Sequence, residues 1–331
     1  MFVEAILENS DNRFAVYLDQ NVFSRLQDGA AGRESVLELL DALTSKGAVF
    51  VYSDIHVDES RASNQPKAFV DIIEGISGYY LAAYNITDPQ ITLSPNRARD
   101  LILAMPDTVH EVQRMLERLM GEVQFCMGWL DGLDANILKE ELKQGIQEIW
   151  GALEKDLPSE LFNLLAGGKT EILRTTENMP LQQLKEEARQ ALDLLRKKLP
   201  KNNAQLDAIP DEEAVEYLFS QLDGKELATI RSDYHPQFWA TFATRQEGKL
   251  AGFAFMLFVM GLVRNPDVKK RDRQRREKHF LGQFNDCQHI EKASRCAMFL
   301  TFDKGAARLA KSVYAYAGVR TAVIHLNISQ A

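Results

Sequence analysis

Apolar residues along this chain fall into two kinds of run. Short blocks of strand length stand near both ends: Phe14–Leu18 (FAVYL), Ala48–Tyr52 (AVFVY), Ala297–Phe302 (AMFLTF) and Thr321–Ile324 (TAVI). They are apolar on consecutive positions rather than alternate ones, the pattern of strands buried on both faces. Between them apolar residues recur at helical spacing, as in Ser35–Ser45, Ile55–Arg61, Lys67–Tyr84 and Lys304–Tyr316. Gly47 and Gly318 stop two of these helices, and Ser53-Asp54 suits the start of another. Gln90–Leu93 has the makings of one more short strand. The alternation of strand and helix predicts parallel β-α-β units.

The middle of the chain reads differently. From about Pro106 to Val263 the pattern is helical almost throughout, over Thr108–Trp129, Asn136–Glu154, Leu181–Leu199, Glu212–Leu222 and Pro236–Val263. Asp156-Leu157-Pro158, Gly167-Gly168, Pro180, Pro200, Pro210 and Pro236 stand where these helices are expected to stop. After the charged segment that follows, a helix is expected over Asp286–Ala297, leading into the third strand block. Each α/β half alone has too few strands to bury a sheet on both faces. The expected organisation is therefore one α/β domain split in sequence, residues 1–105 and 264–331, around a helical insertion at 106–263. Three separate units are the alternative.

Composition narrows the class. The chain has 331 residues, 45% hydrophobic and 26% charged, as in an ordinary globular protein. The longest apolar run, Leu250–Val263, has 14 residues against the roughly 20 of a membrane-spanning helix, so a buried core helix is expected there. The start of the chain shows no basic segment followed by an apolar one, so no signal peptide is expected. Three cysteines without a C-x-x-C pair point to a reducing, cytoplasmic compartment. Net charge is −8, but Arg264–Lys278 carries eight basic residues against three acids, a local +5 that leaves −13 on the rest. Such asymmetry suits a polyanion site on an acidic body, or simply a solvated charged segment.

The chemistry lies in the acids. In an open parallel sheet, ligands collect at the carboxyl ends of the strands. Asp19 follows the first strand, Glu59 lies on the helix after the second, Asp286 starts the expected helix before the next strand, and Asp303 follows that strand. Carboxylates gathered at one edge raise each other's pKa. A hard divalent cation, Mg²⁺ or Mn²⁺, relieves that repulsion, and such ions promote in-line displacement at a phosphodiester. Each acid also has an ordinary reading: Asp19, Asp286 and Asp303 as helix caps, Glu59 as an exposed helix charge with Asp58 the functional neighbour. Asn21, two residues from Asp19, suits a bond to a ligand carboxylate or a turn. His289 shares a helix face with Asp286, as His56 does with Glu59, and fits either phosphate contact and proton transfer or a structural role. Arg273, Arg276 and Lys278 are the candidates for holding phosphate. Gly168-Lys169-Thr170 lacks the glycine of a P-loop, since position 163 is Asn163.

Four segments together resemble the PIN-domain nucleases: Val16-Tyr17-Leu18-Asp19-Gln20-Asn21, Ser53-Asp54-Ile55-His56-Val57-Asp58-Glu59, Asn285-Asp286-Cys287-Gln288-His289-Ile290 and Phe299-Leu300-Thr301-Phe302-Asp303-Lys304. The resemblance covers both ends of the chain; the helical stretch between them departs from it. It implies a three-layer α/β/α domain with a central, mostly parallel sheet, interrupted by a large helical insertion. It further implies a Mg²⁺- or Mn²⁺-dependent endonuclease, usually acting on RNA, with Asp19, Glu59, Asp286 and Asp303 as catalytic and metal-site acids. The expected partner is a nucleic acid, RNA ahead of DNA, with no membrane. The other reading is a catalytically inactive PIN-like module, a scaffold whose helical insertion binds a protein, a nucleic acid or a second copy.

Overall fold

The structure is a computed structural model and describes residues 13–81, 93–95, 98–103, 135–156, 159–183, 186, 190, 197, 206–222, 224–225, 249–263 and 273–327. It is an α/β fold. Among the described residues six strands form one sheet: β1 (Phe14–Leu18), β2 (Ala48–Tyr52), β3 (Tyr79–Leu81), β4 (Leu93–Pro95), β5 (Met298–Thr301) and β6 (Ala322–His325). Their spatial order is β4-β3-β2-β1-β5-β6. All pairings are parallel except β3 with β4, at one edge.

Strand β1 is central because the two ends of the chain close on it from either side. Val16 stands opposite Phe50 of β2 and Met298 of β5. Ala15–Leu18 and all of β2 are buried, which explains their unbroken apolar runs. Each large side chain buried in this way contributes roughly 1.5–3 kcal/mol. Successive residues of a strand point to opposite faces. Val16 and Leu18 join Phe50 and Tyr52 in a core with Val22 and Phe23 of α1 (Gln20–Arg25), Val36 and Leu40 of α2 (Arg33–Thr44), and Phe69, Val70 and Ile73 of α4 (Pro66–Gly75). On the opposite face, Tyr17 meets Phe299 and His289.

The remaining helices are α3 (Asp54–Ala62), α5 (Ala98–Leu103), α6 (Ala135–Asp156), α7 (Ser159–Asn178), α8 (Ala214–Ser220), α9 (Lys249–Met260), α10 (Arg273–Ala293) and α11 (Lys304–Ala317). By their contacts the residues divide into two units. One comprises 1–104, 198–264 and 282–331, the other 105–197 and 265–281, so the helical stretch 106–263 is shared between them. Within the second unit α6 and α7 run antiparallel: Lys139 near the start of α6 bonds the Glu177 carbonyl at the end of α7. Within the first, Phe253 of α9 packs with Phe219 of α8 and Tyr316 of α11. Of the apolar run Leu250–Val263, Leu250–Met260 lies in α9, with Phe253, Ala254 and Leu257 fully buried, and Gly261 at φ 92° ends the helix before Val263. Among the described residues no helix is long and apolar enough to cross a membrane.

Four local expectations need correction. The helix expected to reach Tyr84 ends at Gly75, and Tyr79–Leu81 is a strand instead. Ser77 takes a left-handed conformation (φ 53°), and a Cβ on Gly78 would lie 2.9 Å from Ile73 Cγ2, so the chain reverses tightly there. The strand expected over Gln90–Leu93 falls on Leu93–Pro95, with 90–92 outside the described residues. Gly167-Gly168 does not stop a helix. It lies inside α7, where the ring of Trp150 faces Gly168 from α6 and the long helix absorbs the roughly 1 kcal/mol that each glycine costs. Finally, α10 begins at Arg273 and ends at Ala293, so Asp286 is an interior residue of that helix and not its cap. The expected helix Thr108–Trp129 and most of Leu181–Leu199 lie outside the described residues, as does 236–248.

Candidate functional site

At β1 the chain order switches sides: β2 and β3 lie to one side of it, β5 and β6 to the other. The carboxyl ends of β1 and β5 therefore form the crevice where such sheets bind ligands. Asp19 leaves β1 there and Asp303 follows β5. Asp19 caps α1, its Oδ1 accepting from the Gln20 amide at 2.8 Å. Its Oδ2 accepts from the Thr301 hydroxyl at 2.5 Å and from Asn21 Nδ2 at 2.6 Å. Asn21 also donates to Thr301 Oγ1 (3.1 Å) and accepts from the Phe302 amide (2.9 Å), so it ties the exits of the two strands together. The Asp303 amide bonds Thr301 Oγ1, and Asp303 Oδ1 caps α11 through the Ala306 amide at 2.8 Å. Gly305 is required beside it: a Cβ there would come 2.8 Å from Val263 Cγ1 and 3.0 Å from Asp303 Oδ1. Asp19 and Asp303 are thus both caps and neighbours at one edge.

Two helices supply the rest. Strand β2 exits at Ser53, which with His56 forms a capping box for α3 and brings Glu59 to the site one and a half turns later. Helix α10 presents Gln283, Asn285, Asp286 and His289. Asn285 donates to Glu59 Oε1 at 2.8 Å and His289 Nε2 to Glu59 Oε2 at 3.0 Å. The i, i+4 spacing of Asn285 and His289 lets both reach one carboxylate. Gln283 Nε2 donates to Asp286 Oδ2 at 2.6 Å, while its Oε1 is buried without a hydrogen-bond partner. His289 Nε2 lies 3.9 Å from Asp19 Oδ1.

The electrostatics follow from this crowding. The pKa of Asp286 is raised well above the carboxylate range, by burial first and then by the charges of Asp19, Asp303 and Glu59. Asp19 is raised as well, mainly by burial; His289 and the Thr301 bond work against that, and Glu59 adds to it. Burial disfavours protonated His289, but Glu59 and Asp19 outweigh it and its pKa is raised. His56 is the contrary case: burial, then the neighbouring His289, push it well below the histidine range. Its Nδ1 accepts from the Ser53 amide at 3.0 Å, so Nε2 carries the proton and donates to the Leu18 carbonyl at 2.7 Å.

The structure brings together Asp19, Asn21, Glu59, Asp286, His289 and Asp303. Arg273, Arg276 and Lys278 fall in the first two turns of α10, on the N-terminal side of Asp286. Sequence reasoning gave no site role to Tyr17, Gln283 or Asn285, and read Ser53 only as the helix start that it is. For Gln283 and Asn285 the signal was present: Gln283–Asp286 and Asn285–His289 form a polar stripe that is legible once the helix is started before Asp286.

The donor set suits a hard divalent cation. It consists of four carboxylates and the orphaned Gln283 carbonyl, with His289 beside them. In the conformation described, the carboxylate oxygens of Asp19 and Glu59 are turned to neighbouring N–H and O–H donors. Among the described residues no three His, Cys, Asp or Glu are arranged to hold a metal ion as they stand. No family model matches the chain, and comparisons with curated proteins and with solved structures likewise find no match.

Proposed function

We propose that this chain is a divalent-metal-dependent endonuclease of PIN-like architecture, hydrolysing phosphodiester bonds in RNA, its α/β domain interrupted by a helical insertion that selects substrate. The observation that carries the reading is the convergence of Asp19, Glu59, Asp286 and Asp303, from four separate segments, on the carboxyl edge of the sheet, where Asp286 senses the charge of the other three. A fold gains nothing from such repulsion by itself, and buried charge that serves only stability is paired. Bound Mg²⁺ or Mn²⁺ would neutralise the acids and supply water activation and charge stabilisation at phosphorus. Asp19, Glu59, Asp286 and Asp303 would hold the ion, with Gln283 Oε1 a further oxygen within the set. Asn21 and Thr301 keep Asp19 oriented; Asn285 and His289 do the same for Glu59. The basic first turns of α10 would hold the polymer's phosphates through Arg273, Arg276 and Lys278. A reducing, cytoplasmic setting fits Cys287 and Cys296, which are buried and unbonded.

Purified protein incubated with mixed RNA and with single-stranded DNA, under Mn²⁺, Mg²⁺ or EDTA, tests this directly. Cleavage of RNA that requires metal and falls at least about 100-fold in Asp303→Asn, with RNA affinity retained, is the expected result. Asn still accepts the Ala306 amide, so the cap on α11 survives the substitution. Cleavage by Asp303→Asn at the wild-type rate would remove the site assignment. A well-folded protein that cuts nothing under any of these conditions favours a non-catalytic module with a protein partner.

A further inference from the structure

Behind the acids lies a buried polar chain that the proposed chemistry leaves unexplained. Tyr17, Ser53, His56 and His289 are each at most 1% exposed. Tyr17 Oη lies 2.8 Å from Ser53 Oγ and 2.8 Å from His289 Nδ1. His289 Nε2 then reaches Glu59 Oε2. Four buried polar side chains cost stability unless all are satisfied, and a satisfied network fixes geometry. Here it joins the ends of β1 and β2 to α3 and α10, the elements that carry Asp19, Glu59 and Asp286.

The hydrogens can be assigned. His289 Nε2–H donates to the Glu59 carboxylate. With neutral His289, Nδ1 accepts from the Tyr17 hydroxyl, which itself accepts from Ser53 Oγ–H. With charged His289, Nδ1–H donates to Tyr17 Oη, and Tyr17 turns its own hydrogen to Ser53 Oγ. The hydroxyl serves both states, and the Nε2–H···Glu59 bond is the same in each. Phenylalanine would fill the same space but lose this control.

We propose that Tyr17 is a positioning residue: acting through His289, it holds the Glu59 carboxylate in place for the divalent ion of the acid site. The inference rests on the nuclease reading only in assigning Glu59 to a metal. Groups that orient a metal ligand from behind typically alter metal affinity about 10–100-fold.

Two measurements on the full chain test it. Calorimetric titration with Mn²⁺ alone should show Tyr17→Phe binding about 10-fold more weakly than wild type. His289→Leu should lose more, and His289→Gln should recover part of that loss, because its amide keeps an N–H for Glu59. Nitrogen-15 spectra of the imidazole rings, taken without metal, should show the His289 signals, 2.8 Å from the hydroxyl, displaced more in Tyr17→Phe than those of His56, whose Nδ1 lies 3.4 Å from it. A merely structural tyrosine would leave the Mn²⁺ affinity of the folded Tyr17→Phe protein at the wild-type value. Wild-type Mn²⁺ affinity in Tyr17→Phe overturns the proposal, as does an unmoved His289 spectrum. If Tyr17→Phe does not fold, equal Mn²⁺ affinity in His289→Gln and His289→Leu overturns it. A wild-type chain that binds no Mn²⁺ while His289 still shifts in Tyr17→Phe overturns the assignment of Glu59 to a metal, and the role given to Tyr17 with it.

Discussion

Near its end, α10 carries two buried charges with partners: Lys292 donates to Asp54 at 3.1 Å, and Glu291 accepts the Ala251 amide at 2.8 Å. Between one and two turns earlier on the same helix, Asp286 faces Asp19, Asp303 and Glu59. The first patch fastens α10 to α3 and to the start of α9. The second is held together by other contacts although its charges repel. Side by side, the two show how matched buried charge differs from unmatched buried charge. In the first, opposite charges and donors meet; in the second, four carboxylates gather with His289 as their charged neighbour among the described residues.

Substitutions in the two patches should therefore move stability in opposite directions. The largest effect is expected from Lys292→Ala, which removes a side chain only 4% exposed and its ion pair. It should cost about 2 kcal/mol, less than the roughly 3–5 kcal/mol of a fully buried pair, because Asp54 is 43% exposed and can be solvated. Chemical denaturation in EDTA would measure it. An unchanged midpoint would break the contrast from the matched side.

Asp286→Asn should do the reverse and stabilise the metal-free protein at neutral pH. The substitution keeps an oxygen for Gln283 Nε2 and removes a charge that three carboxylates oppose. A loss of stability in EDTA would show that Asp286 is matched after all.

A smaller effect, in pH, sharpens the same point. The pKa of Asp286 is raised on folding, so the folded chain holds that proton more tightly than the unfolded one. The resulting penalty is absent below the ordinary carboxyl range, near pH 4, and complete once pH has risen through the folded pKa. The advantage of Asp286→Asn should accordingly be greatest at alkaline pH and close towards about pH 4.

Much of the fold was legible because burial on both faces leaves β1, β2 and β5 a continuous apolar signature; β6 keeps an apolar run although it is an edge strand with Ile324 exposed. The four strand blocks lie within a residue or two of β1, β2, β5 and β6. The misjudged places are those where a local signal met a tertiary one. Gly75 to Gly78 turns a helix into β3 through a tight reversal that no periodicity announces. Gly167-Gly168 looks like a stop in isolation but lies within a helix that packs on α6. Starting α10 at Asp286 hid the stripe from Gln283 to His289, because a charged, weakly amphipathic segment gives no inward face to read. At the site the acids stood out, since strand ends are where ligands gather. Tyr17 did not, because a tyrosine inside an apolar strand looks like core, and only the folded chain brings His289 to its hydroxyl.

The central claim is that the unmatched patch exists to take a divalent cation. Thermal unfolding of wild type and Asp286→Asn, each with EDTA and with Mn²⁺, tests it most directly. Without metal the variant should melt higher. With Mn²⁺ at about 100 times its dissociation constant, wild type should gain roughly 2.7 kcal/mol and overtake the variant, reversing the order. Midpoints that Mn²⁺ leaves in the same order, moving both proteins equally or neither, would contradict the account.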